Sequence, residues 1–356
     1  MHGYVNFKLM NRFLKILFFS FVLFIFSFQS VLSTNNYSGK RWGFSQLVST
    51  NANDFVWSSD GRILCFRVVQ NDISYIYKMR DVWKVVGGQT LPGKLKIDLL
   101  YQIKAPVRDF VFSPNLTQAA YCLSEGGGYA LYVANLSTGI SKRLTFGMGP
   151  QWSPKGDKLV FYFMGSRKLY GIATINPDGN NLKILSELGD WGPVWSPDGK
   201  SIAFLSARGY NTGTTDYSNI YVIRTEPYSV MQLTRDKNIF HKNLRWSPIG
   251  KKLVYETFRG IELADTVNLK QQLLVSKSDY PSKHIFTPYF SPDARWIFYR
   301  KEKGLGIYQY NTQEEVVIAG SSPWIDPVLD PSGIKIVFSV TQDEGRGIWV
   351  VEGFNY

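Results

Sequence analysis

The sequence predicts an all-β protein, a seven-bladed β-propeller of four-stranded blades whose ring is closed by an N-terminal strand completing the last blade. Three observations predict this fold. A ten-residue phrase recurs along the whole chain, most copies are separated by a similar interval, and aromatic and β-branched residues flank each copy. An interval of about 40 to 45 residues is typical of a propeller blade.

Seven copies of the phrase are found. Three are nearly identical: WSPKGDKLVF at 152–161, WSPDGKSIAF at 195–204 and WSPIGKKLVY at 246–255. The looser copies lie at 57–66, 112–121, 290–299 and 329–338. Pro-Asp-Gly favours a tight turn, because Pro presets φ, Asp bonds its own backbone and Gly accepts a positive φ. Each copy therefore predicts a hairpin, the first two strands of a blade.

Further strands are predicted after each hairpin. Apolar segments such as NIYVIRT (219–225) predict a third strand, and segments ending in Leu-Thr, such as VMQLT (230–234), predict a fourth. The last copy is followed by only a third strand. Residues 42–49 match the fourth-strand pattern, so we expect them to complete the last blade and close the ring. Residues 78–100 predict an extended hairpin within the first blade.

The N-terminus predicts an export signal. Three basic residues precede an apolar run at 16–28, and Val31 and Ser33 follow it. A charged segment, an apolar segment and a small-residue segment in this order are typical of a secretory signal. We expect cleavage after Ser33, a single propeller domain over 34–356, and a periplasmic or secreted protein. An uncleaved membrane anchor is the alternative, although the run is shorter than the about 20 residues that span a bilayer.

Charge and cysteine content narrow the function classes. The 356-residue chain carries 40 basic and 28 acidic residues, a net charge of +12, which suits an acidic partner. Nucleic acid is not expected in the compartment that an exported protein enters. Cys65 and Cys122, the two cysteines of the chain, lie in apolar strand patterns and predict buried free thiols.

The repeat resembles the TolB-type β-propeller repeat. The resemblance is carried by PVWSPDGKSIAFLS at 193–206, by NIYVIRT and by the QLT that follows it. It covers the propeller, without the N-terminal α/β domain of TolB itself. The class includes periplasmic TolB, which docks peptidoglycan-associated lipoprotein and colicins, the non-catalytic propellers of prolyl oligopeptidase-type enzymes, and oligogalacturonate lyases. The resemblance therefore implies a fold and does not specify an activity.

A search for catalytic and metal-binding motifs finds none. No G-x-S-x-G is present, and outside the N-terminal signal the histidines are His241 and His284, both in predicted loops. The related lyases bind metal through several histidines, which two cannot supply. DGKS at 198–201 lacks the first glycine of a phosphate-binding loop. NPDGNNLKILSE at 176–187 imitates a calcium loop but is better read as a hairpin. We predict no catalytic residue, no metal and no cofactor.

Variable loops on one face of the propeller form the candidate binding surface. These loops join the second strand to the third, and one blade to the next, and they combine basic and aromatic residues. Function concentrates on variable loops held by a rigid scaffold. The predicted binding residues are Arg208, Tyr210, Tyr217, Arg235, Lys237, Phe240, His241, Lys242, Lys283, His284, Arg300 and Lys301. Solvated loops of mixed charge are the alternative interpretation.

The first functional hypothesis is an exported, non-enzymatic scaffold of the cell envelope that binds a protein or peptide, with an acidic partner favoured, and is monomeric. The alternative is a carbohydrate-active or glycan-binding propeller that acts on an acidic polysaccharide. A third hypothesis is a structural accessory to an envelope complex, which predicts an exposed apolar patch.

Overall fold

The computed structural model of the protein describes most of the chain from residue 52 onward and three short segments before it. The described residues are 36–37, 40–41, 43–48, 52–80, 85–86, 89–90, 96–165, 170–186, 189–208, 218–235, 242–276, 287–301, 304–309, 311–318, 325–333, 335–340 and 347–352. The predicted export signal lies outside them. Within these ranges no helix is long and apolar enough to cross a membrane.

The described residues form an all-β propeller of six main antiparallel sheets, which are numbered in chain order. The first sheet contains Asn53–Trp57, Ile63–Gln70, Ile73–Arg80 and Lys96–Ile103. The second contains Val107–Phe112, Gln118–Glu125, Gly128–Asn135, Ser141–Trp152, Leu159–Met164, Tyr170–Ile175 and Lys183–Ile184. The third contains Asp190–Trp195, Ser201–Ser206, Asn219–Thr225 and Tyr228–Gln232.

The remaining three sheets also have four strands each. The fourth contains Lys242–Trp246, Lys252–Thr257, Gly260–Asp265 and Gln271–Ser276. The fifth contains Tyr289–Phe290, Trp296–Arg300, Leu305–Gln309 and Glu314–Ile318. The sixth contains Ile325–Leu329, Lys335–Val340, Gly347–Glu352 and Gly43–Val48. Two small hairpins pair Asn36–Tyr37 with Lys40–Arg41 and Val85–Val86 with Gln89–Thr90.

The prediction of seven separate four-stranded blades is wrong. Five sheets of the described structure have four strands, and the second and third copies of the phrase share one seven-stranded sheet. The reason is the strand Ser141–Trp152, which runs for 12 residues without a connecting loop. Its first part pairs with Gly128–Asn135 and its second part with Leu159–Met164. The Leu-Thr segment at 144–145, predicted to end a blade, therefore continues directly into the next hairpin.

The predicted closure of the ring is present. Gly43–Val48 pairs antiparallel with Gly347–Glu352, so the beginning of the described chain completes the sheet built from its end. Leu47 is buried in the cluster that packs the first sheet against the sixth. The predicted extended hairpin is also present, since Val85–Val86 and Gln89–Thr90 interrupt the path to the fourth strand at Lys96–Ile103.

The core lies between neighbouring sheets. One apolar cluster joins the first and second sheets, others join each following pair, and one lies between the two halves of the seven-stranded sheet. Indole groups add hydrogen bonds between adjacent inner strands, since Trp152 Nε1 donates to the Val111 carbonyl and Trp246 Nε1 to the Val194 carbonyl. Cys65 and Cys122 are buried free thiols, as predicted, and burial raises the pKa of each to about 12.

The structure explains why serine recurs in the phrase. Its hydroxyl accepts a hydrogen bond from the backbone N–H five residues later and so closes the hairpin turn. The pairs, at 2.9 to 3.1 Å, are Ser58 with Ile63, Ser113 with Gln118, Ser153 with Lys158, Ser196 with Ser201, Ser247 with Lys252 and Ser291 with Trp296. In the last copy Asp330 Oδ1 accepts from the Lys335 N–H instead.

Asp198 is expected to stabilise its turn through its carboxylate. Its Oδ1 accepts from the Ser196 hydroxyl at 2.6 Å and from the Lys200 N–H at 3.0 Å, and these bonds hold its pKa below the ordinary 3.8. Asp198→Ala should lower the free energy of unfolding by about 1 kcal/mol at neutral pH. Because the folded pKa is the lower one, this contribution is complete well above the unfolded pKa of 3.8 and is lost as the pH falls through the folded value. Urea unfolding at several pH values measures both effects. Lys155→Ala, at the same turn position of the third copy, is the control and should change little.

Candidate functional site: a basic cavity in the central channel

The first strands of the sheets surround the central channel, and several bend at the same point. Antiparallel pairing shifts register in the first strands of the first, third, fourth and sixth sheets, and in the middle of the long strand of the second. At this point the backbone has a positive φ in four copies: Asp54 (55°), Gly149 (61°), Gly192 (61°) and Asn243 (55°). Bulges of this kind redirect side chains and recur beside functional sites.

One cavity of this channel is formed by residues from four sheets; we call it the arginine cavity. Its volume is about 440 Å³. Its wall consists of Asp54, Phe55, Arg245, Thr287, Tyr289, Phe290, Pro292, Arg300, Pro327, Val328 and Leu329. Arg245 comes from the first strand of the fourth sheet and Arg300 from the second strand of the fifth. Two guanidinium groups and a phenol are thus brought to one apolar-walled cavity.

The charged residues of the arginine cavity are one aspartate, Asp54, and two arginines, Arg245 and Arg300. The Asp54 carboxylate is already engaged, since its Oδ2 accepts from Arg67 Nε at 2.6 Å, and the Arg67 side chain is 11% exposed. Arg245 is exposed, and one of its amino groups donates to the Leu244 carbonyl. The Nε of Arg300 is buried and has no hydrogen-bond partner among the described residues. Because the guanidinium-bearing side chains of Arg245 and Arg300 line the same cavity, the cavity is suited to an anionic acceptor.

A second cavity of about 420 Å³ lies beside the first strands of the second and third sheets; we call it the aromatic cavity. It is lined by Arg108, Asp109, Met148, Gly149, Tyr162, Trp191, Gly192 and Pro193. Asp109 Oδ2 accepts from the Gly149 N–H at 2.9 Å, which ties the two halves of the seven-stranded sheet together. Arg108 donates to the Tyr129 hydroxyl at 2.8 Å. The indole of Trp191 and the phenol of Tyr162 provide flat apolar surface, and burial raises the pKa of Tyr162.

Of the twelve binding residues predicted from the sequence, those that the structure describes do not come together at one site. Arg300 lines the arginine cavity, Arg235 is exposed, and Lys301 Nζ binds Glu315 Oε1 at 2.9 Å. Arg208 forms an ion pair with Asp190. For Lys242 the backbone is described, and the other seven residues lie outside the described ranges: Tyr210, Tyr217, Lys237, Phe240, His241, Lys283 and His284. Their binding role stays a prediction.

Arg208 has a structural partner. Asp190 is fully buried, and burial raises the pKa of its carboxyl, an effect opposed by the hydroxyls of Ser206 and Ser186 and by the Arg208 charge. The guanidinium of Arg208 donates to Asp190 Oδ2 and lies 5.6 Å from the Tyr221 ring centroid. Arg208 therefore compensates a buried charge.

Sequence reasoning missed Arg245, because it lies inside the repeated strand and not in a loop. An alignment of the seven copies would have pointed to Arg245. The informative position is two residues before the phrase's serine, or before the aspartate that replaces it in the last copy. It is valine in four copies, and the others hold Gln151, Arg245 and Tyr289. A charged or phenolic residue where the repeat prefers valine indicates a lining residue of the channel.

The fold and this channel define a β-propeller with a basic central cavity. Residues 96–304 match the family described as TolB beta propeller domain, which is more than half of the chain. The chain belongs to this family, as its repeat predicts.

Two solved structures are similar over nearly the whole chain. An oligogalacturonate lyase in complex with manganese is 14% identical with a TM-score of 0.69, covering 91% of this chain and 96% of that one. An oligogalacturonate lyase from Vibrio parahaemolyticus is 11% identical with a TM-score of 0.66, covering 90% and 95%. At this identity the likeness shows the fold.

A curated relative is similar over part of the chain. The uncharacterized peptidase YuxL of Bacillus subtilis (strain 168) is 26% identical over 206 residues, which are 54% of this chain and 29% of that protein. The chain thus spans less than a third of this relative.

The comparisons correct the first functional hypothesis. Two solved structures that match over about nine-tenths of the chain are named as oligogalacturonate lyases, and the curated relative is named as a peptidase. The first hypothesis, a non-enzymatic scaffold that binds a protein or peptide, is therefore wrong, and its alternative, a propeller directed to an acidic polysaccharide, becomes the starting point of the proposed function. Loop composition misled the prediction, since basic and aromatic residues suit either partner.

The described residues do not fit the manganese found in one of these structures. Manganese favours clustered oxygen and imidazole ligands. Within the described ranges no three His, Cys, Asp or Glu side chains come together, and the carboxylates of Asp54 and Asp109 are bound to Arg67 and Gly149.

Proposed function

We propose that the protein binds an acidic oligosaccharide or polysaccharide in its central channel. The arginine cavity holds carboxylates of the sugar chain, and the aromatic cavity offers flat surface to a sugar ring. The observation that carries the proposal is that the side chains of Arg245 and Arg300, from two different sheets, line one cavity.

The chemistry favours a uronic acid over a neutral sugar. A guanidinium presents parallel N–H donors that match the two oxygens of a carboxylate. The Asp54 carboxylate is paired with Arg67, and the cavity wall also holds the guanidinium groups of Arg245 and Arg300. A uronate repeats its carboxylate along the chain, and the rest of its ring is compatible with Phe55, Tyr289 and the prolines of the cavity wall.

An envelope or extracellular location accompanies this function. The basic and apolar N-terminal segment supports export, and polysaccharides of this charge occur outside the cytoplasm. Cleavage after Ser33 and a monomeric state belong to the same proposal.

Calorimetric titration with an oligogalacturonide tests the binding site. Arg245→Gln and Arg300→Gln should each weaken binding about tenfold or more, because each removes a hydrogen bond to a charged group. Arg62→Gln is the matched control, since the Arg62 side chain is 86% exposed in a hairpin turn and its substitution makes the same chemical change away from the channel. The oligosaccharide reduced to its neutral alcohol at the carboxyl should bind weakly to every variant.

The outcomes separate binding from turnover. Equal affinity of Arg300→Gln, Arg245→Gln and the parent chain would exclude the arginine cavity as the site. Appearance of unsaturated sugar ends in the same samples would show that the bound chain is also cleaved.

A further inference from the structure

Two neighbouring turns of the fourth sheet expose apolar side chains. Ile249 lies in the turn between the first and second strands, and Val267 and Leu269 lie in the turn between the third and fourth. Their exposed fractions are 59%, 74% and 45%. We call these three residues the apolar turn pair. The two turns are adjacent, since the N–H and hydroxyl of Thr266 donate to the Lys251 carbonyl at 3.0 and 2.9 Å.

Ile249 replaces a residue that stabilises the turn in other copies. Asp60, Asn115, Asp198 and Asp293 occupy the same position, and each accepts from the phrase's serine hydroxyl and from a backbone N–H two residues later. Isoleucine can accept neither bond. The turn at Ile249 therefore lacks these two stabilising hydrogen bonds and has an exposed apolar side chain instead.

Leu269 and Val267 stand where the corresponding turn of the second sheet has Gly139 and Ser137. That turn is closed by the same hydrogen bonds, from the Gly139 N–H to the Asn135 carbonyl and from the Ser137 N–H to the Asn135 side-chain Oδ1. Leu269 has a φ of 60° where Gly139 has 72°. Leucine is disfavoured in this left-handed region by about 1 kcal/mol or more, whereas glycine is not. Departures from local rules that nothing in the fold requires indicate function.

The surroundings of the apolar turn pair are basic. Lys251 and Lys270 are exposed within the same two turns, and Lys252 follows directly. The acid of these turns, Asp265, uses its Oδ1 to accept from the N–H groups of Val267 and Asn268. Lysines therefore border both turns of the apolar turn pair.

We propose that the apolar turn pair is a peripheral docking site for an anionic lipid surface. The apolar side chains lie on hairpin turns that end a sheet, a convex shape suited to insertion among lipid headgroups. Lysines that flank an inserted apolar residue bind anionic headgroups. Apolar insertion and electrostatic attraction together give reversible membrane attachment. The turns lie at the end of the sheet opposite to the variable loops, so attachment leaves the loop face of the channel open.

A fluorescent probe placed in the turn tests insertion at this site. Val267→Cys is labelled with an environment-sensitive dye on the full chain, where Cys65 and Cys122 are buried. With vesicles containing phosphatidylglycerol, its emission should increase and shift to shorter wavelength. Ser137→Cys, at the equivalent exposed turn position of the second sheet, is the matched control and should not change. Because the readout is local, binding through the N-terminal apolar segment does not produce it.

Substitutions show whether the apolar turn pair binds lipid or only consists of exposed apolar residues without a binding role. Ile249→Asp restores the residue that other copies use and should keep or raise stability while abolishing the probe's response. Lys251→Gln with Lys270→Gln should weaken vesicle binding at the probe about thirtyfold. An unchanged emission at position 267, an equal response at position 137, or an equal response to purely zwitterionic vesicles would each overturn the proposal.

Discussion

Gly306→Ala is expected to lower the free energy of unfolding by about 3 kcal/mol. Gly306 pairs across the fifth sheet with Tyr299, whose fully buried ring covers it. A Cβ at position 306 would lie 2.5 Å from Tyr299 Cε2 and closer still to Cζ. The ring has little freedom to move, because its hydroxyl donates to Glu315 and the ring packs in the cluster between the fourth and fifth sheets. Denaturant unfolding followed by tryptophan fluorescence measures the loss.

Gly128→Ala is the matched control for this prediction. Gly128 likewise lies at the start of the third strand of its sheet, one residue earlier than Gly306 does in the fifth, but the atom nearest to a Cβ there is 3.7 Å away, in the Phe146 ring. The control should change the unfolding free energy by well under 1 kcal/mol. Similar losses in the two variants would show that the close cross-strand packing of Tyr299 on Gly306 is not formed.

Arg208→Ala is expected to destabilise the protein by about 3 kcal/mol, because it leaves the buried Asp190 carboxylate without its cation. Arg208 side-chain atoms are 38% exposed, whereas Asp190 is fully buried, so the cost arises on the aspartate. Adding Asp190→Asn should recover part of the loss, because it removes the buried charge. Thermal unfolding of the single and double variants measures the coupling.

Arg295→Ala provides the comparison for an exposed ion pair. Arg295 and Asp293 are 59% and 36% exposed, and such pairs contribute less than about 1 kcal/mol. If Arg208→Ala is as stable as Arg295→Ala, then Arg208 is available for a ligand, as its loop position predicts from sequence.

The hairpins and the closing strand were predictable because each depends on local chemistry. Pro-Asp-Gly fixes the turn at 197–199, and the alternation of apolar residues fixes the strands beside it. The last copy of the repeat has no fourth strand after it, and the segment at 42–49 matches the fourth-strand pattern. Within that segment, Gly43–Val48 pairs with Gly347–Glu352, as predicted.

The blade count was not predictable from the same pattern. The number of repeat copies gives the number of hairpins. The number of separate sheets depends on whether a loop interrupts the strand that leads from one hairpin to the next. In Ser141–Trp152 the residues FGMGPQ join two hairpins without leaving the strand. The two glycines and the proline at 147–150 suggest a break from sequence, but the Gly149 N–H is held by Asp109 in the neighbouring inner strand.

The candidate site was predicted only in part. Arg300 was identified by its charge in a variable loop region, and it does line the arginine cavity. Arg245 and Tyr289 were not predicted, because they lie in strands that match the structural repeat and not in variable loops. Convergence of residues from four sheets depends on the ring, which brings together positions from distant parts of the chain, such as Asp54 and Val328.

The most direct test of the channel as a binding site is the crystal structure of the protein with a short oligogalacturonide. We predict sugar carboxylates within hydrogen-bond distance of the guanidinium groups of Arg245 and Arg300. A sugar chain bound to the outer loops, with the arginine cavity free of sugar at saturating concentration, would contradict it.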